Sequence, residues 1–148
     1  FLWLCGDSVE IDALAEGYEA DLVFSCPPYA DLEVYSDDPA DLSMMDYPEF
    51  LQAYKEIIWK SCSLLKPNRF AVFVVGEVRD KSGVYRSFVP DTIAAFQEAG
   101  LHYYNEMILV NNIGSLAMRA GKQFSNSRKI GKQHQNVLVF YKGDLSKN

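Results

Sequence analysis

The sequence contains few of the residues that form covalent or metal cross-links. It has 148 residues, with two histidines and three cysteines, Cys5, Cys26 and Cys62. The cysteines are too few and too widely spaced for a disulfide framework, and no Cys/His cluster has the spacing of zinc ligands. We therefore expect no metal site and a reducing, cytoplasmic location.

Long apolar runs are also lacking. No segment approaches the roughly 20 residues of a membrane-spanning helix, and no signal-peptide pattern opens the chain, so we expect no membrane contact. An apolar share of 49% is nevertheless ample for a core, and 1–148 is predicted to form a single domain. The sequence starts with Phe1 as though in the middle of a strand, so we expect it to be the C-terminal part of a longer domain.

Positive charge is scarce, with a formal net charge of -6, which argues against coating of nucleic acid by bulk electrostatics. Between Gly114 and His134, however, every charged residue is basic. This Gly/Ser/Asn-rich, weakly periodic segment predicts a mobile loop that contacts DNA phosphates, with a solvated loop as the alternative. The basic residues are Arg119, Lys122, Arg128, Lys129 and Lys132.

An acidic segment, 29–45, has no clear period and is predicted to be a long loop. Its carboxylates would repel a phosphate backbone, so we interpret it as a lid or a specificity element. Those carboxylates belong to Asp31, Glu33, Asp37, Asp38 and Asp41.

Apolar patterning predicts an alternation of strands and helices. Strands are expected at 1–4, 21–25, 70–75, 101–110 and 136–141, and helices at 9–16, from Asp46 as N-cap to Lys66-Pro67, and at 90–99 before Gly100. Strand 21–25 is expected to be covered on both faces. This order is typical of a parallel α/β sheet. No helical pattern separates the last two strands, so we expect them to form an antiparallel pair.

Ligands bind open α/β sheets beyond the carboxyl ends of the strands. Three polar turns follow predicted strands: Cys5-Gly-Asp-Ser8, Ser25-Cys-Pro-Pro-Tyr29 and Gly76-Glu-Val-Arg79. They should share one end of the sheet. The second is unusual because two consecutive prolines fix φ twice and remove two backbone donors, which makes the turn stiff.

The run Asp21-Leu-Val-Phe-Ser-Cys-Pro-Pro-Tyr29 resembles the fourth motif of S-adenosylmethionine-dependent amino methyltransferases. Gly6-Asp7-Ser8 upstream, Leu64-Leu-Lys-Pro67 and the ending His134 to Gly143 are also similar to that family. The resemblance is most specific to phage or prophage DNA methylases acting on adenine N6 or cytosine N4. It implies an incomplete Rossmann-like methyltransferase sheet, mostly parallel, with an antiparallel C-terminal strand pair.

The resemblance also implies roles for individual residues. The turn formed by Ser25, Cys26, Pro27, Pro28 and Tyr29 would hold the target base after it is flipped out of duplex DNA, with Tyr29 stacking on it. A backbone carbonyl of Cys26 or Pro27 would accept from the exocyclic amine and localise its lone pair for methyl transfer. Asp7 and Ser8 would contact S-adenosylmethionine, although Asp7 can also be a helix cap.

Two departures from the family leave alternatives open. Cys26 stands where the family has Asp, Asn or Ser, and a thiol is a weak acceptor. We do not interpret it as a nucleophile, because it precedes the prolines, and we expect inert packing. The family's glycine-rich cofactor turn is also missing, and would lie before residue 1 or after residue 148. The alternatives are an RNA or protein-glutamine methyltransferase and an inactive nucleic-acid-binding remnant.

Overall fold

A computed structural model describes residues 2–112, 114 and 116–147. Within them, the strands are β1 (Ala20–Ser25), β2 (Leu65–Val75), β3 (His102–Val110) and β4 (His134–Lys142), and the α-helices are α1 (Ile11–Leu14), α2 (Tyr47–Leu64), α3 (Phe88–Glu98) and α4 (Leu116–Ser127). Short 3-10 turns at Ser8–Glu10, Ala30–Leu32, Leu42–Met44 and Leu145–Lys147 complete the order. None of the described helices is long and apolar enough to cross a membrane.

The four strands form one sheet in the order β1-β2-β4-β3. β1 pairs with β2 in parallel, whereas β4 is antiparallel to both β2 and β3. Three strands therefore run in one direction and β4 alone is reversed. This arrangement confirms the α/β sheet with an antiparallel C-terminal strand pair. Three of the four described strands share one direction, but β4 lies between β2 and β3, so the β2–β4 pairing is antiparallel as well.

The predicted start of α2 and the predicted stop of α3 are confirmed, whereas α2 ends at Leu64, before Lys66-Pro67, which belong to β2, and α3 starts at Phe88, two residues before Pro90. Asp46 caps α2, its carboxylate accepting from the backbone N–H of Glu49 at 3.0 Å, and Pro48 lies in the first turn. α3 stops before Gly100, whose φ of +86° is a left-handed conformation that glycine adopts without steric cost.

The core lies between one face of the sheet and the helices α2 and α3. Phe96 of α3 stacks on Phe140 of β4 with ring centroids 3.9 Å apart, and Phe88 packs on Tyr54 of α2. The buried Tyr54 hydroxyl shares a hydrogen bond of 3.2 Å with the Thr92 side chain, so its polar atom is satisfied without water.

The opposite face of the sheet is not covered by the described residues, which corrects the prediction that strand 21–25 is buried on both faces. Leu22 and Phe24 are 55% and 61% exposed. Leu22 is opposite Phe70 of β2, whose ring contacts Tyr104 at 6.0 Å. Both α2 and α3 pack on the other side, so these apolar side chains remain at the surface.

The prediction of a strand at 1–4 is wrong for residues 2–4, and Phe1 lies outside the described residues. Leu2, Trp3 and Leu4 are exposed and belong to no strand. A strand needs a neighbour to pair its backbone groups, and the described sheet begins at β1. The apolar residues at 1–4 were therefore not sufficient to predict a strand.

The prediction of a loop between the last two strands is also wrong, because α4 occupies Leu116–Ser127. Leu116, Ala120 and Phe124 recur every four residues and form one helical stripe, a signal that the surrounding polar residues masked. Leu116 lies against Gly131, where an added Cβ would approach a Leu116 methyl carbon to 2.7 Å. The helix is thus packed onto the segment that leads into β4.

We expect Asp46→Ala to lower the free energy of unfolding by about 1 kcal/mol, because the α2 cap is lost. Asp46→Asn is the matched control, since its amide oxygen can still accept from the Glu49 N–H. Urea denaturation measures both variants. Equal stability of the Ala and Asn variants would contradict this role of Asp46.

Candidate active site

The proline turn follows β1 directly, at the end of the sheet where β1, β2 and β3 finish and β4 starts; we call this the carboxyl end of the sheet. Ser25 is the last residue of β1, and Pro27, Pro28 and Tyr29 are half-buried. Cys26 is exposed, which corrects the expectation of buried, inert packing. The residue before a proline is held extended, and Cys26 lies beyond the last residue of β1, outside the paired part of the strand.

Ala30, immediately after the turn, is fully buried and has a φ of +51°. A non-glycine residue in this left-handed region costs about 1 kcal/mol or more, and such conformations persist where surrounding contacts impose them. The turn is therefore stiff on both sides. Pro27 and Pro28 fix the chain before Tyr29, and packing fixes Ala30 after it.

Tyr29 is tied to the middle of the sheet. Its hydroxyl accepts a hydrogen bond of 2.7 Å from the side-chain amide of Gln135 in β4, and its ring packs edge-on against Phe88 at 5.5 Å. Burial raises the pKa of the Tyr29 hydroxyl, and hydrogen bonds from Gln135 and the Gly76 backbone oppose that rise. The phenol therefore stays neutral at physiological pH.

An ion pair anchors the start of the acidic loop. The Arg86 guanidinium donates to the Asp31 carboxylate at 2.5 Å, and it also lies over the Tyr47 ring at 5.2 Å. This hydrogen bond from Arg86 lowers the pKa of Asp31, with burial acting in the opposite direction. Asp31 is therefore committed to a structural contact rather than to a ligand.

A cavity of about 460 Å³ adjoins one side of the turn. It is lined by Asp7, Ser8, Pro28, Leu42 and Ile57, together with Gly6, Ser36, Asp38, Ala40 and Asp41. The acidic loop thus forms one wall. The Asp7 carboxylate accepts from the Val9 backbone N–H at 2.9 Å, which confirms Asp7 as a helix cap, while its contact with a cofactor stays a prediction.

Basic residues line a cleft of about 620 Å³ on the other side of the carboxyl end. Arg79, Arg128 and Lys132 lie in it, and an adjoining cleft of about 380 Å³ adds Lys129. The two clefts together therefore contain three of the five predicted DNA contacts, Arg128, Lys129 and Lys132. Arg119 and Lys122 lie on α4 and are not among the lining residues.

Arg79 connects the basic cleft to the proline turn. It lines a smaller space of about 200 Å³ that is also lined by Tyr29. Its guanidinium donates to the Gly83 carbonyl at 2.8 Å and lies 3.8 Å from the centre of the Tyr85 ring, so its position is fixed. Tyr85 was missed by sequence reasoning. In the sequence, only its spacing could have indicated this contact, because Tyr85 follows Arg79 by six residues and Gly83 lies between them.

Glu77 also lies in this cleft, where it would oppose an anion. Its two carboxylate oxygens accept from the backbone N–H groups of Phe88 and Val89, at 3.2 and 3.1 Å. Glu77 thereby caps the positive end of α3, and its charge is largely compensated there. The sequence had placed the turn Gly76-Glu-Val-Arg79 at the carboxyl end of the sheet but did not indicate this cap.

Comparison with known proteins identifies a fold. No family model matches the sequence, and no curated protein matches it. A candidate DNA modification methylase from Thermus thermophilus matches 94% of this chain and 51% of its own, with a TM-score of 0.66 and 21% identity. The fold is that of a methyltransferase. M1.HpyAVI, solved with SAM, matches 94% of this chain and 52% of its own, with a TM-score of 0.57 and 16% identity. The cytosine-N4-specific PvuII DNA methyltransferase matches 92% of this chain and 47% of its own, with a TM-score of 0.64 and 18% identity. The chain therefore spans about half the length of the solved structures that it matches.

We expect the Asp31–Arg86 pair to contribute to stability in a pH-dependent way. Because the pKa of Asp31 is lower in the folded chain, the pair stabilises it above the unfolded-state value of about 4, and this contribution is lost as the pH falls through the folded-state pKa. Stability should therefore fall less steeply in Arg86→Leu than in wild type between about pH 5 and about pH 3.

Urea denaturation at several pH values measures this difference. Asp31→Asn should reduce the slope in the same way, and the double variant should show no further change because the pair is already absent. Identical slopes in wild type and Arg86→Leu would be evidence against the assignment.

Proposed function

We propose that this chain is part of an enzyme that transfers a methyl group from S-adenosylmethionine to the exocyclic amine of adenine or cytosine in duplex DNA. One observation carries the proposal. The turn Ser25 to Tyr29 lies between two open spaces. On one side, Pro28 lines the Asp7 cavity. On the other, Tyr29 and Arg79 line a common space, and Arg79 also lines the basic cleft. A methyl donor on one side and a nucleic acid on the other would meet at this turn.

The turn supplies the acceptors that the amine requires. An exocyclic amine is a poor nucleophile because its lone pair is delocalised into the ring. Acceptors that bind its hydrogens localise that pair, and the carbonyls of Cys26 and Pro27 are candidates because the prolines prevent the turn from relaxing. Ser25 adds a hydroxyl acceptor beside Cys26, whose thiol is weak.

The Asp7 cavity supports a nucleoside-like cofactor. Its volume of about 460 Å³ is within the usual range for small-molecule sites, and it combines apolar walls from Leu42 and Ile57 with polar side chains from Asp7 and Ser8. These residues would hold S-adenosylmethionine, which supplies an electrophilic methyl group when bound. A carboxylate suits the hydroxyl and amino groups of such a ligand.

The basic cleft supports nucleic acid as the substrate. Arg79, Arg128 and Lys132 are positive in a chain of net charge -6, so the cleft is the place where phosphates would be attracted. Tyr29 has an aromatic ring at the edge of the same region, where it could stack on a base flipped from the duplex. Arg119 and Lys122, on the exposed α4, would extend the contact along the backbone.

The test is a methylation assay with labelled S-adenosylmethionine on duplex DNA, RNA and protein, together with titration of the cofactor by calorimetry. It is run on residues 1–148 and on a longer protein that also includes the residues encoded on either side of this segment in its gene. Transfer to duplex DNA supports the proposal. Transfer only to RNA or protein would support the rival substrates, and cofactor binding by neither form would indicate an inactive remnant.

We expect Arg128→Ala and Lys132→Ala to weaken binding to duplex DNA of every sequence, because they would contact phosphates. The logarithm of the DNA-binding constant falls linearly with the logarithm of the salt concentration, and each substitution should make that slope less negative by about 0.9. Lys55→Ala is the matched control, since it removes the same charge from a side chain that pairs with Glu98 on the α2–α3 surface. Binding measured by fluorescence anisotropy with an unchanged slope in both cleft variants would exclude this interface.

A further inference from the structure

We propose that Gln135 is a positioning residue that holds Tyr29 in the orientation needed to stack on the target base. This inference rests on the proposed function and deepens it. Gln135 is the second residue of β4 and is 106 residues from Tyr29, yet its side-chain amide donates to the Tyr29 hydroxyl at 2.7 Å. The sequence does not assign it any role.

The sheet register explains how Gln135 reaches the turn. β4 is reversed relative to β1 and β2, so its first residues lie at the carboxyl end of the sheet. Val75, the last residue of β2, is opposite Asn136, and Gly76 follows it. A Cβ added at Gly76 would be 3.7 Å from both the Gln135 side chain and the Tyr29 hydroxyl, which shows that the three residues meet.

The hydrogen bond from Gln135 restricts the side-chain torsions of Tyr29, which the prolines leave free. Pro27 and Pro28 restrict the backbone, whereas the orientation of the Tyr29 ring depends on side-chain torsions. Phe88 contacts the ring edge-on from one direction, and Gln135 holds the far end of the phenol. Two contacts at separate points define the plane of the ring, and stacking on a base depends on that plane.

A role in stability alone would be the simpler explanation. Tyr29 packs against the core on one side, but it is only half-buried, and it also lines the open space that contains Arg79. The left-handed Ala30 follows it directly, so the backbone on that side cannot readjust to move the ring. The side-chain amide of Gln135 therefore fixes the orientation of a ring that lies partly against the core and partly at the open surface.

The experiment compares wild type with Gln135→Leu, which keeps similar volume and removes the donor. The first readout is the NMR signal of Tyr29 in protein labelled with ¹³Cζ-tyrosine, assigned with Tyr29→Phe. The second is methyl transfer to duplex DNA, with kcat separated from KM. Gln52→Leu, an exposed position on α2, is the matched control for the same chemical change.

We expect Gln135→Leu to shift the Tyr29 signal and to reduce kcat by about tenfold, with KM for DNA changed less than about twofold, because misplacement of a reacting group mainly affects the chemical step. Gln52→Leu should change neither. In a Tyr29→Phe background, Gln135→Leu should have little further effect, because the hydrogen bond is already lost.

The two failures can be distinguished. Methyl transfer by wild type together with an unchanged Tyr29 signal or an unchanged kcat in Gln135→Leu overturns the positioning role and leaves the proposed function intact. A wild-type chain that transfers no methyl group in either length overturns the proposed function, whatever the NMR signal shows, and the positioning role is lost with it.

Discussion

The hydrogen-bond ladder between β2 and β4 runs from Arg69 opposite Lys142 to Val75 opposite Asn136, and the rest of the site depends on its direction. Because β4 is reversed, its beginning lies beside the ends of β1 and β2. The segment that precedes β4 contains Arg128 and Lys132, so this single antiparallel pairing brings the cations next to the proline turn. A parallel β4 would place them at the opposite end of the sheet.

The electrostatic potential at the carboxyl end of the sheet depends on the contacts that its acidic residues make. The chain has a net charge of -6, yet the carboxylates nearest the turn are engaged in local contacts. Asp31 pairs with Arg86, Glu77 caps α3, and Asp80 accepts from Ser82 and the Val84 backbone. The cation beside Asp31 and the positive end of α3 beside Glu77 offset part of this negative charge, and the basic cleft is a local exception in an acidic protein.

Rigidity at the turn has several independent sources. The prolines restrict the backbone before Tyr29, the buried left-handed Ala30 restricts it afterwards, and Gln135 holds the side chain between them. The prolines and Ala30 belong to the turn itself, whereas Gln135 is 106 residues away in sequence. The proposed methyl transfer would benefit from such restriction, because reorganisation during the reaction would be avoided.

Much of the fold could be predicted because the decisive signals were local. Asp46 and Pro48 start α2, Gly100 ends α3, and two prolines stop β1, each through the conformational preference or hydrogen bonding of the residue itself. Two features required the tertiary structure: the pairing of Tyr29 with Gln135, and the placement of three of the five cations in the basic cleft and the cleft beside it. Both depend on strand order and direction, which are decided by contacts between residues far apart in sequence and leave no periodic signal in either segment.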